Sequence, residues 1–138
     1  MSKRRIHGDW TMVFEGRILK SKIIGATNSE AGIAWLEELK VNIIQSPEGV
    51  DTPWVGFLDF RDWQGTSLDS LEQYQVATSW ATQNNAIMCA YVISKELQGY
   101  SIKKLNSNML DDSFNRYFFS YDEAYQACLD KLSEVQKQ

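Results

Sequence analysis

The residues with the best-placed reactive groups lie in the stretch FLDFRDWQGTSLDSL, at positions 57–71. An apolar run meets Asp59 there, and Asp62 follows three residues later. Paired carboxylates can act as general acid and base, but such catalysis needs a nucleophile or a metal held nearby. The sequence around them offers neither, and Arg61 stands between the two acids, where it would damp their charge. We interpret both aspartates as solvated loop acids and predict no catalytic residue.

Two hydroxyl side chains at the end of the same stretch suggest a different chemistry, phosphorylation. Thr66 and Ser67 precede a helical pattern that begins near Leu68, so both would lie at a helix N-terminus. Free N–H groups and the helix dipole stabilise an added phosphate at such a position. Thr66 and Asp69 also fit a capping box, in which the hydroxyl only caps the helix. Both interpretations stay open: candidate phosphorylation sites, or a helix cap.

Trp63 and Gly65 lie in the polar part of this stretch, which we expect to be a loop after the strand Trp54–Phe60. An aromatic residue there either folds back over the sheet edge or faces a partner, and tryptophan is over-represented at the energetic centres of interfaces. Gly65 stands alone, outside any glycine-rich phosphate-binding motif. Packing is the commoner role of a large aromatic residue. The partner-binding surface that we predict nevertheless comprises Asp59, Asp62, Gly65 and an exposed Trp63.

Other residue types give weaker signals. The single histidine, His7, lies near the N-terminus, and Cys89 and Cys128 lie in separate apolar stretches. Lone thiols of this kind usually behave as small core residues, and a metal site would need a tighter cluster. We therefore expect no metal, no cofactor and no disulfide.

Composition favours one soluble globular domain over residues 1–138. Hydrophobic residues make up 43% of the 138 positions, and the net charge is −4. A negative chain is a poor general nucleic-acid binder, and no run approaches the roughly 18 apolar residues of a membrane span. Without a signal-peptide pattern, we expect a cytoplasmic protein.

Hydrophobic periodicity predicts an opening hairpin followed by alternating helices and strands. Such alternation typically builds a mixed or parallel sheet with helices packed against it. We expect an α/β fold with about five strands, an N-terminal antiparallel hairpin and three to four helices. The predicted strands are 10–14, 18–24, 54–60, 86–93 and 116–119, and the capping boxes that begin helices are Thr27 with Glu30, Thr66 with Asp69, and Ser120 with Glu123.

This order resembles the STAS domain of sulfate transporters and anti-sigma factor antagonists, and more narrowly the SpoIIAA-like proteins. The resemblance spans roughly Gly8 to Leu132 and is carried by FLDFRDWQG, the helix after it, and the final RYFFSYDEAYQACL. It implies a bacterial regulatory or ligand-binding module and no enzyme. In the antagonists, a kinase phosphorylates a serine or threonine in the loop after the central strand; Thr66 and Ser67 occupy that region here, without the serine-glycine step usual in the family.

Two functions follow from the resemblance and the residues together. The first is a regulatory module that docks a kinase-like or other regulatory protein through the loop and helix after the central strand. The alternative is a carrier or sensor of a small apolar, lipid-like ligand held between the helices and the sheet, supported by the abundance of Leu, Ile, Trp and Phe. The sequence leaves the oligomeric state open.

Overall fold

The computed structural model describes residues 6–66, 71–94 and 114–136. Its elements follow the predicted order of an opening strand pair and then alternating helices and strands. They are β1 (Asp9–Glu15), β2 (Ile18–Thr27), α1 (Ser29–Ile44), β3 (Trp54–Thr66), α2 (Leu71–Gln83), β4 (Ala86–Val92), β5 (Asn115–Phe118) and α3 (Tyr121–Gln136). The predicted short helix and loop between positions 94 and 110 lie almost wholly outside the described residues.

The described residues form one five-stranded sheet in the order β1-β2-β3-β4-β5. β1 is antiparallel to β2, and the β2–β3, β3–β4 and β4–β5 pairs are parallel. Gly16 and Arg17, with φ of 62° and 64°, form the two-residue turn of the hairpin. Two successive residues with positive φ match the turn type whose twist suits a hairpin. The mixed sheet and its N-terminal hairpin confirm the predicted fold.

The helices cover opposite faces of this sheet. Leu36, Leu39 and Ile43 of α1 pack with Leu19 and Trp54 of the sheet, and residues of α2 join them on this α1/α2 face. On the other, α3 face, the helix buries Ala124, Cys128 and Leu132 against β3 and β4. Strands β3 and β4 are therefore covered on both sides, which explains why their sequences are almost continuously apolar.

The strand β3 is longer than predicted, because β2 stays paired with it beyond Phe60. The parallel register continues from Ile24 opposite Asp62 to Thr27 opposite Thr66. Two register shifts interrupt it, and at each one β3 carries one more residue than β2. Such bulges change which face of the sheet the next side chains reach. The predicted loop after position 60 is therefore a bulged strand up to Thr66.

The predicted start of the first helix is one residue early. Asn28 is its N-cap, and its Oδ1 accepts a hydrogen bond of 3.0 Å from the Ala31 N–H. Thr27 is instead the last residue of β2, and its hydroxyl accepts a hydrogen bond from Trp63 Nε1 of β3. For α3 the predicted cap is confirmed, because Ser120 Oγ accepts the Glu123 N–H at 3.2 Å.

Candidate functional site

An apolar cavity of ≈ 130 Å³ lies between the sheet and the α1/α2 helix pair. Its wall comprises side chains from β1 to β4, from both helices and from Phe114, and none of its described lining residues is charged. An engineered apolar cavity of about 150 Å³ stays dry and binds benzene. The cavity therefore has the size and polarity of a site for a small apolar molecule.

Four tryptophans, Trp10, Trp35, Trp54 and Trp63, line this cavity. Each indole N–H already has an acceptor in the protein. Trp10 donates to Glu38 Oε1 at 2.9 Å and Trp35 to Ser21 Oγ at 2.9 Å. Trp54 donates to Asn84 O at 2.7 Å and Trp63 to Thr27 Oγ1 at 3.2 Å. Buried indoles normally find such partners. The cavity consequently meets the carbon surface of the rings and not their polar edges.

Small residues leave the space that the cavity occupies. Gly56 forms part of the sheet wall, and a Cβ added there would lie 3.1 Å from Cys89 Sγ. Across the cavity, α1 contributes Ala31 and Gly32, and α2 contributes Ala77 and Ala81. Side chains this short on both helices fill little of the space between the layers, which leaves room for the cavity.

Cys89 and Cys128 are both free thiols in different surroundings. Cys128 is fully buried under α3, which confirms its predicted core role. Cys89 lies in an interior strand but is only half-buried, because part of its surface faces the cavity. Removal from bulk water raises the pKa of each thiol to about 12, so both are neutral thiols at physiological pH and poor nucleophiles.

The predicted exposure of Trp63 is wrong. Its side chain is 3% exposed and packs edge-on against Phe60, with ring centroids 5.1 Å apart. Simple alternation would place residues 60 and 63 on opposite faces of β3, but the bulge between them brings both to the α1/α2 face. Trp63 is therefore part of the cavity wall, which is the inward-folded alternative of the two that the sequence allowed.

Asp59 is also not the solvated acid that the sequence suggested. It is 6% exposed, and Arg61 donates to its carboxylate from Nε at 2.9 Å, from Nη2 at 2.8 Å and from the backbone N–H at 3.1 Å. Burial by itself would raise the Asp59 pKa, but these hydrogen bonds and the charges of Arg61 and Lys22 outweigh it and leave the pKa below its ordinary value. Asp59 thus stays ionised and structural, and the damping role predicted for Arg61 is confirmed.

The other predicted surface residues lie further along β3. Asp62 is exposed, as expected, and its Oδ2 lies 3.0 Å from Lys22 Nζ on the neighbouring strand. Gly65 is half-buried with φ of 108°, a conformation that side-chain-bearing residues rarely adopt. Thr66 ends β3 opposite Thr27, and Ser67 lies outside the described residues. The structure thus brings Asp62 and Gly65 to one strand end, but it turns Asp59 and Trp63 into buried positions.

The described residues contain no group of three or more His, Cys, Asp or Glu side chains able to hold a metal ion. In the same part of the chain, no helix has both the length and the apolarity to cross a bilayer.

Sequence reasoning missed the cavity as a defined site. Abundant large apolar residues predict a filled core equally well, so they could not reveal an unfilled volume. The signal that could have revealed it is a cluster of small residues. Gly56 lies in the buried part of β3 and faces α1, which carries Ala31 and Gly32, and α2, which carries Ala77 and Ala81.

Within residues 6–66, 71–94 and 114–136, a bulged mixed sheet is opened by a hairpin and covered by two helices on one face and one on the other. This arrangement defines a SpoIIAA-like fold. A solved structure from Shewanella loihica PV-4, an uncharacterized protein of the DUF3478 family with a SpoIIAA-like fold, matches it with a TM-score of 0.64 and 17% identity over 93% of this chain and 98% of that one. An anti-sigma factor antagonist from Mycobacterium paratuberculosis matches with a TM-score of 0.58 and 11% identity over 88% and 96%. No protein-family model and no curated protein matches the sequence. The fold predicted from the residues is thereby confirmed.

Proposed function

We propose that this chain is a non-enzymatic, cytoplasmic binding module of one domain whose cavity holds a small apolar ligand, as a carrier or a sensor. The observation that carries this proposal is the tryptophan-lined cavity between the sheet and the α1/α2 pair. It corresponds to the second of the two functions drawn from the sequence. The buried Trp63 favours it over docking through that residue, because a side chain in the cavity wall cannot also face a protein partner.

The volume and polarity of the cavity favour an apolar occupant. At about 24 cal/mol per Å³, a volume of ≈ 130 Å³ forfeits about 3 kcal/mol of packing. Water would regain little of this loss, because a buried water needs two to four polar partners and the wall offers few. A benzene-sized apolar molecule would restore the missing contacts without leaving a polar group unpaired.

The test is thermal unfolding of the full chain with and without benzene, followed by calorimetry. Ala31 lines the cavity, whereas Ala34 lies on the same helix outside it. Ala31→Leu fills much of the volume, and Ala34→Leu is its matched control. At tenfold excess over Kd, bound benzene adds about 1.4 kcal/mol and raises Tm by roughly 3–6 °C for a domain of this size. We expect that rise in the wild type and Ala34→Leu, and its loss in Ala31→Leu.

Two results would contradict the proposal. One is a wild-type Tm that does not respond to benzene up to its solubility limit. The other is an equal response in Ala31→Leu, which would locate the binding elsewhere. Native mass spectrometry of the purified protein adds an independent readout, because a retained natural ligand appears as added mass.

We propose a second function, protein docking at the carboxyl end of β3, because one observation favours it separately. The exposed Lys22–Asp62 pair lies on the α3 face at that strand end, next to Ile24, which is 36% exposed. The fold is similar to that of an anti-sigma factor antagonist. A kinase-like or regulatory protein would contact Asp62 and Gly65, with Asp59 and Trp63 supporting the strand from inside and Thr66 or Ser67 as its phosphorylation sites.

A charge reversal tests this second function. Asp62→Lys should abolish capture of a partner from the native host, whereas Asp51→Lys, in the exposed loop before β3, should leave it unchanged. Equal capture by both variants would rule out docking at Asp62. Mass spectrometry of the native protein checks the phosphorylation directly, and full recovery of the unmodified peptide under all growth conditions would contradict it.

A further inference from the structure

The outer edge of β1 carries backbone groups that the described sheet does not use. β1 is an end strand, and β2 is its only partner among the described strands. The two-residue turn makes Glu15 and Ile18 a hydrogen-bonded pair, and every second pair along the antiparallel register is then bonded in the same way. The residues between these pairs turn their N–H and C=O groups away from β2; they are Trp10, Met12 and Phe14.

Two hydrogen bonds agree with this assignment. The C=O of Thr11, which belongs to a bonded pair, faces β2 and accepts from Ser21 Oγ at 2.7 Å. The N–H of Trp10, which faces outward, donates instead to Asp9 Oδ1 at 2.8 Å. Met12 and Phe14 thus each present one donor and one acceptor at the outer edge, at the spacing that a neighbouring strand needs.

β1 has none of the features that usually block an exposed edge strand. Its seven residues, DWTMVFE, include no proline and no lysine, and its register with β2 runs without a bulge. Edge strands are commonly protected by such residues, by bulges or by shortness, and β5 at the other end of the sheet has only four residues. The seven-residue edge of β1 can therefore accept an extended segment as an added strand.

The side chains of β1 determine which segment fits. Asp9 and Glu15 are exposed at the two ends of the strand, and Thr11 and Val13 lie between them on the same, α3 face. Lys20 Nζ lies 3.8 Å from Glu15, but the carboxylate side chain stays 72% exposed, and such surface pairs contribute little. Opposite charges on neighbouring strands stabilise their pairing. The best partner strand therefore has a basic residue at each end and β-branched residues between them.

A second copy of this chain fits the edge less well. Antiparallel pairing of two β1 strands over their full length is centred on Met12, so Asp9 of each copy lies opposite Glu15 of the other. Like charges then face each other at both ends, which destabilises the pairing. The charge of the edge favours a basic partner over self-association.

We propose that the outer edge of β1 binds an extended segment of a partner protein as a sixth, antiparallel strand. This segment carries a lysine or arginine opposite Asp9 and another opposite Glu15. The antiparallel direction is the more stable one per residue. The edge is separate from the cavity and from the end of β3, so this inference is independent of both proposed functions.

Two synthetic peptides represent the partner and its charge-reversed control. In Lys-Val-Thr-Val-Thr-Val-Lys, the lysines lie opposite Asp9 and Glu15, and the valines lie opposite Trp10, Met12 and Phe14. The control peptide has glutamate in place of both lysines and is otherwise identical.

Calorimetric titration into the full chain gives the Kd of each peptide. We expect the wild type to bind the lysine peptide at least about fivefold more tightly than the glutamate peptide. The double variant Asp9→Lys/Glu15→Lys should reverse this preference. Asp51→Lys/Asp130→Lys changes the net charge equally at exposed positions outside β1 and should keep the wild-type preference.

N-methylated forms of the lysine peptide show whether binding uses the backbone. A methyl group on the N–H of the central valine removes the hydrogen bond to the C=O of Met12, so affinity should fall at least about threefold. A methyl group on a threonine N–H, which faces away from β1, should leave affinity unchanged. In the unmodified complex, amide hydrogen exchange of Met12 and Phe14 should slow.

Four results would overturn the proposal. They are failure of both peptides to bind, a reversed preference in Asp51→Lys/Asp130→Lys as well, equal affinities of the two N-methylated peptides, and unchanged amide exchange of Met12 and Phe14 in the complex. A dimer of the protein alone, with these two amides already protected, would also overturn it, because the edge would then belong to a second copy.

Discussion

Replacing Trp63 by alanine gives the most direct test of how the end of β3 is built. Because this side chain is 3% exposed and lines the cavity, its removal enlarges the cavity. Truncating a buried large aromatic side chain to alanine lowers the free energy of unfolding by about 3–5 kcal/mol. The edge-on contact with Phe60 at 5.1 Å adds to this cost, since such pairs contribute about 0.5–1.5 kcal/mol beyond their area. We expect Trp63→Ala to lower the free energy of unfolding by about 4 kcal/mol.

Equilibrium urea unfolding followed by far-UV circular dichroism measures this value. Phe119→Ala is the matched control, because Phe119 is an aromatic residue with 67% exposure. Surface substitutions of that kind usually change stability by at most about 0.5 kcal/mol. A tryptophan on a recognition loop would behave like Phe119, so a loss below about 1 kcal/mol for Trp63→Ala would refute the burial argument. An unchanged slope of unfolding against urea confirms that both variants unfold from the same compact state.

Three further outcomes follow from the structure. Arg61→Gln should destabilise the protein by about 1–2 kcal/mol, a value reduced for solvent screening because the Arg61 side chain is 41% exposed. The ion pair of Arg61 with Asp59 holds the Asp59 pKa low. The stabilisation from this pair is therefore present above about pH 3.9 and is lost as pH falls through the folded-state pKa of Asp59. Acid unfolding of Arg61→Gln should begin at higher pH than that of the wild type. Burial raises the pKa of Cys89 and Cys128 to about 12, so both thiols should resist a charged disulfide reagent at pH 8, and rapid labelling of the folded protein would contradict this. For the same reason the free energy of unfolding should decline above about pH 8.5, where the thiols ionise in the unfolded chain. Asn28→Ala should cost about 1 kcal/mol in urea unfolding by removing the α1 cap, and no loss would show that the cap is dispensable.

The fold could be predicted because its elements carry strong local signals. The buried segments Trp54–Leu58 and Ala86–Val92 contain no charged residue and are almost wholly apolar, and Ser120 with Glu123 marks a helix start that the structure reproduces. Such strong periodicity predicts the secondary structure correctly, because the apolar faces that define the pattern are the ones that form the core.

The end of β3 could not be predicted, because pairing with β2 overrides local preference there. Residues 61–66 contain Arg61, Asp62, Gln64 and Gly65, which favour a loop by composition. The bulges that keep this segment in the sheet depend on the register of two strands separated by a helix. A single sequence contains no signal for such a shift, so the inward direction of Trp63 was also hidden.

The arrangement of the four cavity tryptophans has a spectroscopic consequence. Their N–H groups are satisfied by the protein, so an occupant would act on the indole rings alone. Each ring would report a change of its immediate surroundings through its own emission, with no attached dye. The protein therefore carries an intrinsic optical reporter of cavity occupancy.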